Sequence, residues 1–531
     1  MGDPKFKPCR QHQIMLLPPD ISELIPEDAM VRVVDSIVDG MDISRLHALY
    51  PGGGAPAYDP AMMLKVVLFA YASGVYSSRK IARATAENIN FMWLCGMRPL
   101  DHNTINRFRS ERIRPVFEDV FSEIVAVLAE AGHVTLETYF LDGTKVEANA
   151  NKFTFVWKKS TDKYQEALRA KVHAHLAAID ELNDEEEALA PEEPSQVDSE
   201  AIAEAARRIN ERLEKKQAEG KGKDEEAKSL RKAARAIDKD YLPRMEKYED
   251  QQEAFGERNS FSKTDPDATF MRMKDDAMGN GQLKAAYNVQ AGTEDQFIVD
   301  VTVHQRPGDT ACAIGHFEHV KERIGHLPQN IVADAGYGSE ENYAYLEGQG
   351  VNAYVKHNEF FRECKNKKWR EDEMRPANWA YDEAADEYTC PDGRKLRFEG
   401  ERKRKSDLGF ESTTRVYACG DCSGCPKRKK CFKSKDPSAR KKIQVNPRLA
   451  AFKERASAML HTDKGRKLRK KRGIDVETVF GDIKRNHGFT RFLLRGLEKV
   501  TLEFRLVAAG HNIRKLFLAE SRKGAEAGAM A

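Results

Sequence analysis

Long apolar runs are missing from this 531-residue chain. The most apolar stretch, residues 62–75, is too short to cross a bilayer and carries Lys65, so it reads as a core helix. The opening residues, MGDPKFKPCRQ, hold no apolar segment of signal-peptide type, and Phe6 stands where a myristoylation signal wants Ser or Thr. The expectation is a cytoplasmic protein with no membrane partner. Cysteine is scarce. Nine in the whole chain do not make a disulfide scaffold in a reducing compartment. A large charge of one sign is missing too: 87 Lys and Arg face 84 Asp and Glu, for a net +3. That balance excludes a disordered polyelectrolyte. It leaves local basic blocks free to meet nucleic acid.

What is present is length enough for two to four domains, with 40% hydrophobic and 32% charged residues. Residues 1–130 read as a helical, DNA-binding N-terminal domain. Leu64, Val67, Leu68, Tyr71 and Val75 recur at helical spacing, SSRKIARATAENINFMWLCG continues the pattern, and HNTINRFRSERI begins a third helix near Asp101. A helix–turn–helix of this kind presents Asn106, Arg107 and Arg109 on an exposed face. An ordinary bundle with a solvated polar face has the same spacing.

From residue 131 the pattern changes to α/β, reaching to about 520. ETYFLD reads as a strand closed by Asp142. Residues 160–255, rich in Glu, Lys and Ala, read as a helical hairpin or coiled-coil insert. LKAAYNVQAG and QFIVDVTVH read as paired strands turning at 292–295, followed by an amphipathic helix over 310–324. NIVAD is a strand closed by Asp334, Ser339 caps the next helix, and VNAYVKH is another strand. A basic, Cys-rich insert covers 358–450. Helices return at 463–486 and 497–518, and 521–531 reads as a disordered tail. The fold class is therefore a mixed α/β sheet flanked by helices, behind an all-α N-terminal domain and with two inserts.

Three acids stand out. Asp142 and Asp334 end strands, and Glu477 lies on a helix beside the apolar face of Val476, Val479, Phe480 and Ile483. In an open α/β sheet, functional groups gather where adjacent strands end. Two close carboxylates repel unless a cation lies between them, and hard oxygen ligands suit Mg²⁺ or Mn²⁺. A third acid completes a site for metal-assisted phosphoryl transfer. A chain with 84 acids also offers many strand-end aspartates that only form turns.

LDGTKVEANANKF, NIVADAGYGSEENYAYLE and VETVFGDIKRNHGFTRFLLRGLEKVTLEFRLVAAGHNIRKL resemble the motifs of the DDE transposases of bacterial insertion sequences, as does DPDATFMRMKDD. The N-terminal 130 residues resemble the helical domain that precedes the core in one branch of these proteins. The resemblance covers most of the chain, leaving out the helical insert and about 365–410. It implies an RNase H-like core, catalytic Asp142, Asp334 and Glu477, a Mg²⁺ or Mn²⁺ cofactor, and double-stranded DNA as partner, with a homodimer on paired transposon ends. Lys484 stands seven residues after the Glu, as the signature expects. The chain departs from the signature upstream. Gly473 stands where an Arg is usual, Arg472 is one place earlier, and no Tyr is near. The basic character is kept, since seven of the nine residues from Lys464 to Arg472 are Lys or Arg. Lys484, Arg485, Lys470, Arg472, Arg107 and Arg109 are the expected DNA contacts. A catalytically inactive DNA-binding derivative, or a nuclease without strand transfer, shares these features.

CGDCSGCPKRKKC places Cys419, Cys422, Cys425 and Cys431 at spacings that let thiolates share a structural Zn²⁺, with Cys390 as a fifth candidate. Reduced thiols in a basic loop are the other reading. Cys9, Cys95, Cys312 and Cys364 are isolated.

Overall fold

The computed structural model describes residues 20–50, 57–181, 188–222, 224–273, 281–434, 436 and 438–530, with side chains as far as Arg522. Cys9, part of DPDATFMRMKDD (residues 274–276) and the acidic run 182–187 lie outside the described residues.

The N-terminal region is helical. Its central helix α1 (Pro60–Ala72) starts where Asp59 accepts a hydrogen bond from Met62 N at 2.8 Å and Pro60 takes the first position, where no amide hydrogen is needed. Nearly all of α1 is buried. The long C-terminal helix lies against it, and Arg514 donates to Ala72 O at 3.0 Å. These helices and the central sheet share one continuous apolar core, so the described residues of this N-terminal region pack as one body with the sheet.

The central sheet is mixed. Its strands are β1 (Thr138–Glu147), β2 (Leu283–Glu294), β3 (Phe297–His304), β4 (Asn330–Ala333) and β5 (Asn352–Val355), in the order β3-β2-β1-β4-β5. Pairings of β1 with β4 and of β4 with β5 are parallel; β2 is antiparallel to both neighbours. A short strand, Thr269–Arg272, pairs with the other end of β2. The β2–β3 turn falls at Asp295 and Gln296, not at 292–295, because β2 runs on through a bulge to Glu294. Both turn residues have positive φ, 49° and 66°, as a two-residue type I′ hairpin requires.

Asp142 does not close its strand. β1 continues to Glu147 because its register with β2 persists from Asp142↔Ala291 to Glu147↔Ala286. What ends before Asp142 is the parallel pairing with β4, whose last pair is Leu141↔Ala333.

Among its described residues, the region expected as a helical hairpin or coiled-coil insert contains four α-helices, Lys158–Asp180, Ser199–Ala218, Glu225–Ala236 and Leu242–Phe255. They enclose a separate core that includes Leu168, Val172, Ile202, Leu230 and Met245. A two-stranded ribbon, Phe155–Trp157 against Ser260–Ser262, brings its ends together. The Cys-rich region forms an antiparallel sheet of β6 (Ala380–Asp382), β7 (Glu387–Thr389), β8 (Lys395–Lys405), β9 (Glu411–Cys419) and β10 (Lys442–Val445), in the order β10-β9-β8-β7-β6. It too has its own small core.

Two helices then return to the central sheet, α2 (Asp463–Gly481) and α3 (Leu497–Met530). Helix α3 runs through the expected disordered tail as far as Met530. Among the described residues, no helix is long and apolar enough to cross a membrane.

Candidate active site

The parallel register brings the two aspartates together. Leu141 pairs with Ala333, so the next residue on each strand is an Asp. Paired strands lie about 4.7–4.9 Å apart, which makes Asp142 and Asp334 backbone neighbours. Asp142 is buried, and its Oδ1 accepts from Gly143 N at 2.8 Å. Asp334 is half-buried and caps a short turn, accepting from Gly336 N at 2.8 Å.

Glu477 arrives on α2. Val476 and Val479 are fully buried, with Phe480 and Ile483 nearly so, which presses this helix face onto the sheet. Each such side chain contributes roughly 1.5–3 kcal/mol. Asp475 fixes the helix along its axis, accepting from Thr293 Oγ1 at 2.6 Å and from Gln296 N at 3.0 Å on the β2–β3 hairpin. Burial pushes the Asp475 carboxyl above its usual range. Glu477 itself stays exposed.

Arg472 ties the acids to one another. Its Nη1 donates to Asp142 Oδ2 at 3.3 Å and its Nη2 to Glu477 Oε1 at 2.8 Å. Lys356, just past β5, belongs to the same site. Burial lowers its pKa first, reinforced by Arg472, and the nearby charges of Asp334 and Glu477 oppose the shift. The sequence holds no signal for Lys356, because only the strand order puts the end of β5 beside β4. Tyr337, one turn after Asp334, has a buried phenol whose ionisation is suppressed by that burial and then by Asp309, Asp142 and Asp334. Carboxylates approach from two strands and a helix, the kind of oxygen donor a Mg²⁺-like cation takes, and as placed no three of their oxygens lie within 4.8 Å of one another.

Residues 389–517 match the Transposase DDE domain family and residues 19–111 match the Transposase domain (DUF772) family. The two matches support a DDE transposase of insertion-sequence type. The first includes Arg472, Glu477 and Lys484 and lies wholly after Asp142 and Asp334. No curated protein and no solved structure matches the chain.

The cations of the chain are sorted by burial. Lys470, Arg485 and Arg107 are exposed. Lys484 is half-buried and donates to the Lys145 carbonyl of β1 at 2.9 Å. Arg109 is not on an exposed face, as the helix–turn–helix reading expects. It is 3% exposed and donates to Tyr71 Oη, Tyr76 O and Asn106 Oδ1 at 3.1, 2.7 and 3.2 Å, because the helix turns it inward under α1. Arg472 is buried as well, and its partners are the two carboxylates rather than solvent. Asp265 is not at the site: it is buried against Tyr287 Oη and Gly496 N. Asn288 lies beneath the site and donates to Asp309 Oδ1 at 2.8 Å.

The cysteines of the chain depart from the expected zinc set. Cys419, Cys422, Cys390 and Cys431 gather around one apolar cluster, whereas Cys425 lies outside it, beside Asp392. No three of these sulfurs come within 4.8 Å of one another. A tetrahedral zinc with bonds of about 2.3 Å needs a closer set than this, although Cys390, Cys422 and Cys425 all lie near enough for their charges to act on Cys431. Cys419 instead donates to Asp421 O at 3.1 Å, and Cys422 accepts from Lys441 N at 3.4 Å. Among the described residues, the group that does meet the spacing is His357, Glu359 and Glu363, where Lys453 and Arg375 already neutralise the acids.

Proposed function

We propose that this transposase cuts DNA at the ends of its element and joins the freed ends to target DNA by metal-dependent phosphoryl transfer. Asp142, Asp334 and Glu477 act as the metal-holding acids of an RNase H-like core. The sheet order β3-β2-β1-β4-β5, with β2 antiparallel to the other four strands, favours that core. The observation that supports the reading is the guanidinium of Arg472, which donates to both Asp142 and Glu477 beside the Asp142–Asp334 register.

The family generally uses divalent metal, and its substrate is DNA. A Mg²⁺ or Mn²⁺ ion held by the three carboxylates would supply Lewis acidity at the scissile phosphate. The chain's own residues provide the rest. Buried Asp142 and half-buried Asp334 fix the depth at which the phosphate docks. Exposed Glu477, held by Arg472 on a helix face, closes the site from the solvent side. Arg472 and Lys356 balance the acids and attract the phosphate oxygens. Lys470, Arg485 and Arg107 lie outside the acid site and hold the DNA backbone by charge. The reaction is two in-line displacements, first by water to free a 3′-hydroxyl and then by that hydroxyl on a target phosphodiester. A homodimer on paired ends fits this task, with residues 1–130 and the basic β8–β9 arm offering DNA-binding surface. The thiol cluster is given no metal in this reading.

The test is a strand-transfer assay with a labelled element end carrying a 3′-hydroxyl, and Mn²⁺ or Mg²⁺. Joined product is expected from the parent chain and none from Asp142→Asn or Glu477→Gln, with DNA binding kept. Hydrolysis without joining under both metals assigns a nuclease. Binding without either reaction assigns an inactive derivative.

A further inference from the structure

We infer that Arg472 blocks the acid site in the free chain and that a DNA phosphate draws it off, so that divalent cation and DNA bind cooperatively. The inference rests on the proposed metal-holding role of Asp142, Asp334 and Glu477.

The acids as they stand are set too wide for the cation. Bonds of about 2.0–2.1 Å bring the oxygens around a Mg²⁺ within about 4.2 Å of one another, whereas no three oxygens of these acids lie within 4.8 Å. A guanidinium stands among them instead. Arg472 Nη1 donates to Asp142 Oδ2 at 3.3 Å and Nη2 to Glu477 Oε1 at 2.8 Å. The first oxygens of the two aspartates are engaged as well, Asp142 Oδ1 by Gly143 N and Asp334 Oδ1 by Gly336 N, both at 2.8 Å.

Helix α2 explains how the guanidinium comes to lie there. Gly473, one turn before Glu477 and on the same face, carries no side chain. Arg472, one residue earlier, is turned by about 100° to the inward side, where it is 8% exposed. Its side chain therefore approaches the acids from the protein and not from solvent.

That seat is incomplete and uneven. Arg472 Nε is buried without a hydrogen-bond partner, a cost that a better-matched acceptor relieves. The two ion pairs also differ in depth, since the Asp142 side chain is 10% exposed and that of Glu477 57%. A ligand arriving from solvent meets the Glu477 side first. Lys467 and Lys470 lie on the exposed face of α2 that leads to Glu477, and phosphate is their natural partner.

A phosphate carried along that face reaches Nη2 at the place of the Glu477 carboxylate. It accepts from the guanidinium fork in two places, which one Glu477 oxygen does not. The exchange releases Glu477 towards the aspartates and adds the phosphate's own negative charge beside them. Acids that have lost their counter-charge favour a divalent cation. By linkage, a cation bound there tightens DNA binding by the same factor.

The experiment is a Mn²⁺ titration of the full chain, followed by the paramagnetic signal of free Mn²⁺. It is run without DNA and with a duplex of the element end that has a 3′-dideoxy terminus, the uptake of the duplex alone being subtracted. In the parent, the duplex is expected to tighten Mn²⁺ binding about tenfold. Arg472→Gln, shown to be folded by its melting point in EDTA, is expected to bind Mn²⁺ without DNA about tenfold more tightly than the parent, and to gain little from the duplex. Equal affinity of the parent with and without the duplex overturns the inference. So does parent-like binding in folded Arg472→Gln without DNA. In both cases weaker Mn²⁺ binding in Asp142→Asn leaves the proposed function standing. Where Arg472→Gln does not fold, the parent comparison decides alone. No Mn²⁺ uptake by the parent with the duplex overturns the metal site and the inference together.

Discussion

Arg472 Nη1 lies 3.3 Å from Asp142 Oδ2, across 330 residues of chain. Both side chains are about one-tenth exposed. The pair joins α2 to β1 at the point where the acids meet. Breaking a buried ion pair from one side leaves an uncompensated charge, at a cost of about 3–5 kcal/mol. Arg472→Met is therefore expected to lower the denaturation midpoint in EDTA. Added Mn²⁺ should restore more stability to this variant than to the parent, because a cation between the carboxylates replaces the lost charge. Equal Mn²⁺ responses in denaturant titrations would show that Arg472 does not stand at the cation's position.

Gly143 has no room for a side chain. The added carbon would meet Asp309 Oδ1 and Gln290 Nε2, both at 2.5 Å. Gly143→Ala is expected to cost about 1–3 kcal/mol of stability. It should also reduce DNA cleavage beyond what that loss explains, since it displaces the backbone next to Asp142. Cleavage at the parent rate, measured well below the melting point, would refute the crowding.

Arg107 and Arg109 are two residues apart and should behave in opposite ways. Arg107 is exposed, so Arg107→Gln should leave the melting point unchanged. It should lower the slope of log affinity against log salt by about one. Arg109→Gln removes buried charge-assisted hydrogen bonds to Tyr71, Tyr76 and Asn106, so it should destabilise the chain by about 2 kcal/mol. A loss of DNA affinity in Arg109→Gln at unchanged stability would restore the exposed-face reading.

His319 sets an alkaline limit on stability. Burial works against its protonation, but hydrogen bonds to Asp300 and Glu118 overcome that and raise its pKa to about 9, from 6.5. A raised pKa means the folded state holds the proton more tightly. The contribution is full below pH 6.5 and fades as pH rises through 9. Glu118 moves the other way, to about 2, mainly through its hydrogen bond to His319. Its contribution is full above pH 4.5 and fades in acid. Melting points should thus plateau between about pH 4.5 and 6.5 and fall towards pH 9. In His319→Gln the alkaline decline should flatten; an unchanged decline would assign it to other groups.

The four-helix insert has its own core and closely spaced ends. Residues 158–259 expressed alone should melt cooperatively, and the remainder, closed by a short Gly-Ser linker between Trp157 and Ser260, should keep its sheet. Circular dichroism of the two pieces checks this. A non-cooperative insert would mean that its helices need the rest of the chain.

Periodicity and local chemistry made much of this protein readable in one dimension. The alternation in QFIVDVTVH, the Ser339 cap and the apolar stripe through Val476 and Ile483 are set by near neighbours, and each stands where the spacing puts it. Asp142, Asp334 and Glu477 are legible as candidates, two at strand ends or near them and one beside a packed face. Their meeting point is not. It depends on the parallel register of Leu141 with Ala333 and on Asp475 docking the helix to the hairpin, both pairings between distant segments. The same holds for Lys356 and Asp309, which carry no local signature and reach the acids only because β5 and the loop after β3 flank β1 and β4. Burial was decided in three dimensions too: Arg109 and Arg472 look like surface cations in the sequence and are interior ones in the fold. Helices and strands answer to contacts a few residues apart, whereas the site and its charges answer to which strand lies beside which.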